Sequence, residues 1–244
     1  MRIRFLGGVF LVLASIVEAK PLLIGIAEHD PPFAMSADKG RFFGFDIELM
    51  TSLCQQMKTE CQFKPMQFNA LFTELNKGTI QLAIAAITIT HERQQQFLFS
   101  LPYLTSEGRF ITIKNNPINT AKKLNKKKIG IIKGSIFKGL ITQKIVQATV
   151  IEYLTTAKLI SALTQKEVDS ILLDDFSADY WIANNIELFK GIGEPIPVGI
   201  GYGIMAKKDA IGLINKVNNA LKEIESNGIY LALYSKYFHT IPMH

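Results

Sequence analysis

The chain has 244 residues, 48% of them hydrophobic and 20% charged, with 9 Pro, 17 Gly and 2 Cys. That composition is too apolar for intrinsic disorder and too poor in Pro and Gly for a low-complexity or collagen-like chain. No repeat of about 20–50 residues stands out. The length is ample for a sizeable core in one or two domains.

Residues 1–19 read as a secretory signal peptide, because Arg2 and Arg4 precede the apolar run Phe5–Val17 and small residues lead to a cut after Ala19. The run is too short to span a bilayer comfortably. No cysteine follows Ala19, so no lipid anchor is expected there. The mature chain then begins near Lys20. Loss of Arg2, Arg4 and Glu18 lowers its formal net charge from +6 to +5. Much of the excess sits in Lys122, Lys123, Lys126, Lys127 and Lys128. This run reads as a solvated loop ahead of a strand, the alternative being contact with an anionic surface. No aromatic platform is interleaved with it, and no nucleic-acid partner is expected.

Along the mature chain, Leu22–Ala27 reads as a buried strand and His29–Pro32 as a turn. Asp46 is placed as the N-cap of a helix whose apolar face carries Leu49, Met50, Leu53, Cys54 and Met57. A strand near Cys61–Phe68, a short helix over Asn69–Asn76 and a strand over Ile80–Ala86 follow. Cys54 and Cys61 are expected to form a disulfide in an exported protein, closing a short loop worth about 2–3 kcal/mol. No histidine stands at ligand spacing near them, so no metal site is expected.

A second block repeats the pattern. Strands are expected at Phe110–Ile113, Ile129–Ile132, Thr149–Ile151 and Asp169–Leu173. Helices are expected from Gly134-Ser135 to about Val146, over Thr155–Gln165 and over Asp174–Asn184. Pro195–Met205 is apolar but rich in Gly and Pro, and within it Gly199–Gly203 reads as a flexible strand. Two helices, Lys208–Asn227 and Ile229–Phe238, have no strand between them and should pack back on earlier structure. The alternation marks an α/β fold with mainly parallel sheets, in two lobes of which the first is discontinuous.

Three segments could carry chemistry. Ala85 to Arg93 leaves the carboxyl end of a buried strand, where open α/β sheets bind ligands, and supplies the hydroxyls of Thr88 and Thr90 and the guanidinium of Arg93. Such a guanidinium can clamp a carboxylate through paired hydrogen bonds; the plain alternative is a surface arginine in a first helical turn. Asp174, with Asp175 beside it, could hold an ammonium group or simply cap a helix. Lys133-Gly134-Ser135-Ile136 is a tight strand-to-helix turn whose backbone N–H groups suit an anion, but it lacks the Gly-rich Lys-Ser/Thr pattern of a phosphate loop. An arginine with backbone donors and an aspartate, spread over two lobes, suit the carboxylate and ammonium of an amino acid. No nucleophile, base and orienter set is recognisable.

At these residues the sequence resembles the polar amino-acid-binding proteins that serve bacterial ABC importers. The resemblance covers nearly the whole mature chain. It is carried by Pro32-Phe33, Gly44-Phe45-Asp46, Gly78-Thr79-Ile80-Gln81-Leu82, Thr88-Ile89-Thr90-His91-Glu92-Arg93, Phe99-Ser100-Leu101-Pro102-Tyr103, the run from Gly130 to Ser135, and the run from Val168 to Asp175. Cys54 and Cys61 match the short disulfide of the lysine/arginine/ornithine- and histidine-binding branch.

The resemblance implies a periplasmic-binding-protein fold of type II. Its first lobe would span 20–106 and 203–244 and its second 107–202, with hinge strands near Thr105–Arg109 and Gly199–Ile204. It implies that Arg93 and N–H groups at Thr88 and Ile136 bind the ligand carboxylate. Asp174, the Thr88 hydroxyl and a carbonyl near Ala86 would bind its ammonium, with Phe68 over its side chain and Ser135 in the same pocket. Ala85 and Ala86 replace serines usual in that branch, and Ile136 replaces a threonine. Glu28 and Asp30, beside Phe33 and Phe68, favour a cationic side chain, arginine ahead of lysine, ornithine or histidine. The expected protein is a monomer without a cofactor that delivers its amino acid to an inner-membrane permease. A rival reading on the same fold is a periplasmic cyclohexadienyl dehydratase, for which Glu28 is the sole candidate acid or base. A third is a sensory module working with a separate membrane chain.

Overall fold

The computed structural model describes residues 20–37 and 40–238; the signal peptide expected over residues 1–19 lies outside them. The chain forms β1 (Leu22–Ala27), β2 (Met35–Ser36), β3 (Phe42–Phe43), α1 (Phe45–Gln56), β4 (Cys61–Met66), α2 (Phe68–Lys77), β5 (Leu82–Ile84), α3 (His91–Gln96) and β6 (Phe97–Phe99). It continues with β7 (Glu107–Ile113), β8 (Lys128–Ile132), α4 (Phe137–Lys144), β9 (Thr149–Tyr153), α5 (Thr156–Thr164), β10 (Ser170–Asp174) and α6 (Asp175–Asn184). It ends with β11 (Phe189–Pro197), β12 (Met205–Lys207), α7 (Ile211–Ser226) and α8 (Ile229–Phe238).

Two sheets result, one in strand order β4-β1-β5-β12-β6 and the other in order β11-β7-β10-β8-β9. In the first, β1 is flanked in parallel by β4 and β5, and its unbroken apolar run is what a strand covered on both faces requires. In the second, β8 is flanked in parallel by β9 and β10. The remaining strands are antiparallel: β12 against β5 and β6, β7 against β10 and β11. Each sheet is therefore mixed rather than mainly parallel. β7 and β12 enter their sheets from the segments that cross between lobes, without the helical crossover a parallel neighbour needs.

Helices cover both faces of each sheet through apolar layers. Leu49, Met50 and Leu53 of α1 pack with Ile24 and Ile26 of β1 and with Val217, Leu221 and Ile224 of α7. α7 and α8 thus pack back on α1, as expected for helices with no strand between them. On the opposite face Leu71 and Leu75 of α2 join Ile80 and Met205. In the second lobe Phe137 and Ile141 of α4 pack with Ile129 and Ile131, and Leu159 and Leu163 of α5 with Ile171 and Leu173. Cys54, near the end of α1, is disulfide-bonded to Cys61, the first residue of β4, with Cα atoms 6.2 Å apart.

Two local expectations are corrected. Gly44, not Asp46, caps α1. A Cβ at Gly44 would lie 2.2 Å from the Phe33 carbonyl oxygen, and its φ of +132° is open to glycine alone. Asp46 consequently falls inside the first turn and is fully buried. Gly199–Gly203 is not a strand: β11 ends at Pro197, β12 begins at Met205, and residues 198–204 cross to the first lobe. There the chain lies against its other crossing segment through Tyr103 N–H to Tyr202 O at 2.9 Å, Tyr202 N–H to Leu104 O at 2.9 Å and Val198 N–H to Ser106 O at 3.0 Å. Gly199 (φ +62°) sits where a Cβ would come within 2.4 Å of the Ile89 carbonyl oxygen, so glycine there serves close packing.

Candidate functional site: a cleft between two lobes

The carboxyl ends of β1, β4 and β5 in one lobe and of β8, β9 and β10 in the other converge on one cleft. Its walls bound about 690 Å³ of space, open mouth included. Of the residues singled out from sequence, Glu28, Asp30, Phe68, Ala85, Ala86, Thr88, Arg93, Ser135, Ile136 and Asp174 all line it.

Phe33 does not. The tight turn in which the N–H groups of Phe33 and Ala34 both donate to Asp30 O, at 2.8 and 2.9 Å, swings its ring into the core. There it is wholly buried and packs edge-on against Phe176 and Tyr202. It is a floor beneath the cleft and no part of its lining.

Arg93 stands in the first turn of α3 and lines the cleft. Thr90 caps that helix through its side-chain oxygen, which accepts the Arg93 N–H at 3.2 Å. The side chain then turns inward, donating from Nη1 to Thr88 O at 2.8 Å and from Nη2 to Gly134 O of the other lobe at 3.0 Å. Its guanidinium lies 4.9 Å from the centroid of Phe72 and 5.8 Å from that of Phe68. Burial pulls its pKa down to about 10, which leaves it charged at neutral pH. It makes no ion pair among the described residues.

The opposite sign gathers at the other end of the cleft. Asp174 terminates β10 and caps α6, accepting the Ser177 N–H at 2.8 Å, so its capping reading holds while its carboxylate also lines the cleft. Asp30 accepts the Ser177 hydroxyl at 3.3 Å across the cleft. Burial raises the pKa of Asp30 well above the usual carboxylate range, with Asp174 and Asp46 adding to the rise. Burial likewise pushes Asp174 up to about 6. Neither forms an ion pair among the described residues. Asp175 turns elsewhere, 3.5 Å from Arg109, which is also bonded to Asp179.

Between these ends stand buried Thr88 and the Ser135 hydroxyl, which is buried without a hydrogen-bond partner. Ile136 caps α4, so its N–H precedes the helix's own ladder and stays open to a ligand. Tyr202 and Asp46 are among the residues that escaped the sequence reading of the site. Tyr202 lines the cleft from the crossing segment, hidden in a stretch whose glycines signalled flexibility. Asp46 reaches the cleft wall from behind, its Oδ2 accepting the Ala86 N–H at 3.0 Å. The signal for it was Gly44, which moves the cap two residues earlier and leaves an acid facing inward.

Two α/β lobes joined by two adjacent crossing segments, with charged groups of both signs turned into the cleft between them, define a two-lobed solute-binding protein. The comparison of sequences agrees. Residues 22–240 match the bacterial extracellular solute-binding proteins, family 3, and the chain belongs to that family. The lysine/arginine/ornithine-binding periplasmic protein of Escherichia coli (strain K12) is 30% identical over 224 residues, 88% of this chain and 86% of the relative. ABC transporter arginine-binding protein 1 of the same organism is 27% identical over 223 residues, 90% of this chain and 91% of the relative. Among solved structures, an arginine 3rd transport system periplasmic binding protein from Legionella pneumophila superposes with a TM-score of 0.86 at 37% identity, covering 90% of this chain and all of that one. All three are binding proteins by name.

Proposed function

We propose that this protein captures a free L-amino acid with a cationic side chain, arginine first, in the periplasm and delivers it to the membrane permease of an ABC importer. The observation that carries the reading is electrostatic: one partly buried cation and two partly buried carboxylates, none of them in an ion pair among the described residues, face a single cleft. A zwitterion with a cationic side chain supplies the missing partner of each. Its carboxylate would take Arg93, with the Ile136 N–H and Ser135 hydroxyl beside it. Its ammonium would take Asp174, the Thr88 hydroxyl and the Ala86 carbonyl. Asp30 and Glu28 would then face the side chain. Asp30 is hard to leave charged and alone, so a guanidinium or ammonium brought to it restores the balance. The relatives' names support arginine among cationic amino acids.

In this reading the lobes are 20–106 with 203–244 and 107–202, and they close about the paired crossing segments when one ligand touches both. The working form is a monomer, exported by a leader removed after Ala19. Calorimetric titration of unfolded, stripped and refolded mature protein with the twenty amino acids and ornithine tests it. Micromolar or tighter binding confined to arginine and its cationic relatives is expected. Binding confined to an acidic or uncharged amino acid would overturn the assignment of the acidic end.

A further inference from the structure

Asp46 lies outside the cleft lining, yet it is the most completely buried acid near it. It has no exposed surface and makes no ion pair among the described residues. Its N–H donates to Phe33 O at 3.1 Å while Oδ2 accepts from Ala86 N–H at 3.0 Å, so it is tied at both ends. The other oxygen, Oδ1, and the Tyr103 hydroxyl are both buried and lie beside each other without full hydrogen-bond geometry, and that hydroxyl helps to hold the Asp46 pKa down. A carboxylate so placed is costly to keep, and burial outweighs what the Ala86 N–H and the Tyr103 hydroxyl return. Its place in the first turn of α1, at the positive end of the helix dipole, is what tolerates the charge.

The group it holds is unusual. Ala86 has φ +45°, in the left-handed region that a Cβ disfavours, and it lines the cleft. Backbone held in such a region persists only where its surroundings over-determine it, and such sites cluster where ligands are clamped. Asp46 supplies that constraint from the side away from the ligand.

We infer that Asp46 is a positioning residue of the cleft: it fixes the Ala85–Ala86 peptide link in the turn that meets the ligand's ammonium group, and it sets a negative charge behind that link. The inference rests on the amino-acid-binding reading above. It also carries a proton consequence. Asp46 interacts with Tyr103 of the crossing segment, Asp174 of β10 and Asp30 of the loop after β1. Tyr202 interacts in turn with Asp30, Asp174 and Tyr103. Burial pushes Asp46 up to about 7, with Asp174 adding to the rise and the Ala86 N–H opposing it. A cation brought to this cluster favours the ionised forms, so binding near neutral pH releases protons, part of them from Asp46.

The test is titration of the mature chain with arginine, comparing wild type with Asp46→Asn in two buffers of different ionisation enthalpy. Asp46→Asn keeps the volume and an acceptor oxygen. It should fold, bind arginine at least about tenfold more weakly and release fewer protons. Asp46→Ala removes the acceptor as well as the charge, and adding Ala86→Gly to it should recover part of the lost affinity, because glycine adopts φ +45° unaided. Wild-type affinity and an unchanged proton count in Asp46→Asn overturn the inference, and absence of recovery overturns its backbone part. Should Asp46→Asn fail to fold, carbon NMR of the wild-type carboxyl groups reads the same property. An Asp46 midpoint near 7 that falls on addition of arginine supports it, and an unmoved midpoint overturns it. Wild-type silence toward the whole amino-acid panel overturns the functional reading first, and this inference with it.

Discussion

Arg93 of the first lobe donates to the Gly134 carbonyl of the second at 3.0 Å, so the residue proposed to receive a carboxylate is also a bond between lobes. The other nitrogen is held by Thr88 O at 2.8 Å, and the guanidinium plane is backed by Phe72 and Phe68. This orients a planar, two-pronged donor at the lobe boundary. A ligand carboxylate binding there gains from pre-organisation already present in the chain.

Arg93→Ala should lower affinity for the bound amino acid by about 1.5 to 3.5 decades, the range for removing one partner of a buried charge pair. Arg93→Lys should lose at least about tenfold, since an ammonium cannot reproduce two parallel hydrogen bonds. Titration calorimetry reads both, and wild-type affinity in the lysine variant would contradict the paired geometry.

Asp174 serves as a helix cap and as a charge, and two substitutions separate these roles. Asp174→Asn retains a capping oxygen for the Ser177 N–H, so its melting temperature should stay near that of wild type while affinity falls about a hundredfold. Asp174→Ala should lose the same affinity and about 1 kcal/mol of stability as well. Equal stability in both variants would remove the cap from the account.

The buried acids set a pH dependence with a definite sign. Asp46 is pushed from 3.8 up to about 7 and Asp174 from 3.8 up to about 6, both chiefly by burial, and Asp30 moves the same way. Between about pH 4 and pH 7 the folded chain thus binds more protons at these sites than the unfolded chain. Their contribution to stability is full at the acidic end and is lost as pH rises. Unliganded protein should melt a few degrees higher at pH 5 than at pH 8. Arginine should narrow the gap by favouring the ionised forms. Scanning calorimetry at the two pH values checks this, and a higher melting point at pH 8 would contradict it.

Removing the Cys54–Cys61 bond by a Cys54→Ser, Cys61→Ser pair should cost about 2–3 kcal/mol of stability through loop entropy. Amino-acid affinity should be kept, because the bridge joins α1 to β4 at the end of the strand remote from the cleft. Chemical denaturation and titration of the same variant give the two numbers separately.

The strand and helix pattern was legible because apolar runs such as Leu22–Ala27 and the stripe Leu49, Met50, Leu53 leave few alternatives. The short pairs Met35–Ser36 and Phe42–Phe43 and the six-residue helix over His91–Gln96 were not, being too brief for any period to show. Strand direction was hidden too: nothing local in Glu107–Ile113 or Met205–Lys207 says that each arrives from the other lobe and so runs against its neighbour. In the cleft, Arg93, Thr88 and Asp174 were readable because each stands within a few residues of the carboxyl end of a strand. Phe33 misled for a related reason, since nearness in sequence to Asp30 says nothing of which way a tight turn throws the ring. Asp46 and Tyr202 depend on contacts 40 or more residues away, Ala86 for one and Leu104 with Glu107 for the other.

The most direct measurement is a crystal structure of the mature protein with arginine bound. The account predicts the ligand carboxylate within hydrogen-bond distance of the Arg93 guanidinium, the α-ammonium against Asp174 and Thr88, and the side-chain guanidinium toward Asp30. A ligand lying with its α-ammonium away from Asp174, or with its carboxylate away from Arg93, would contradict it.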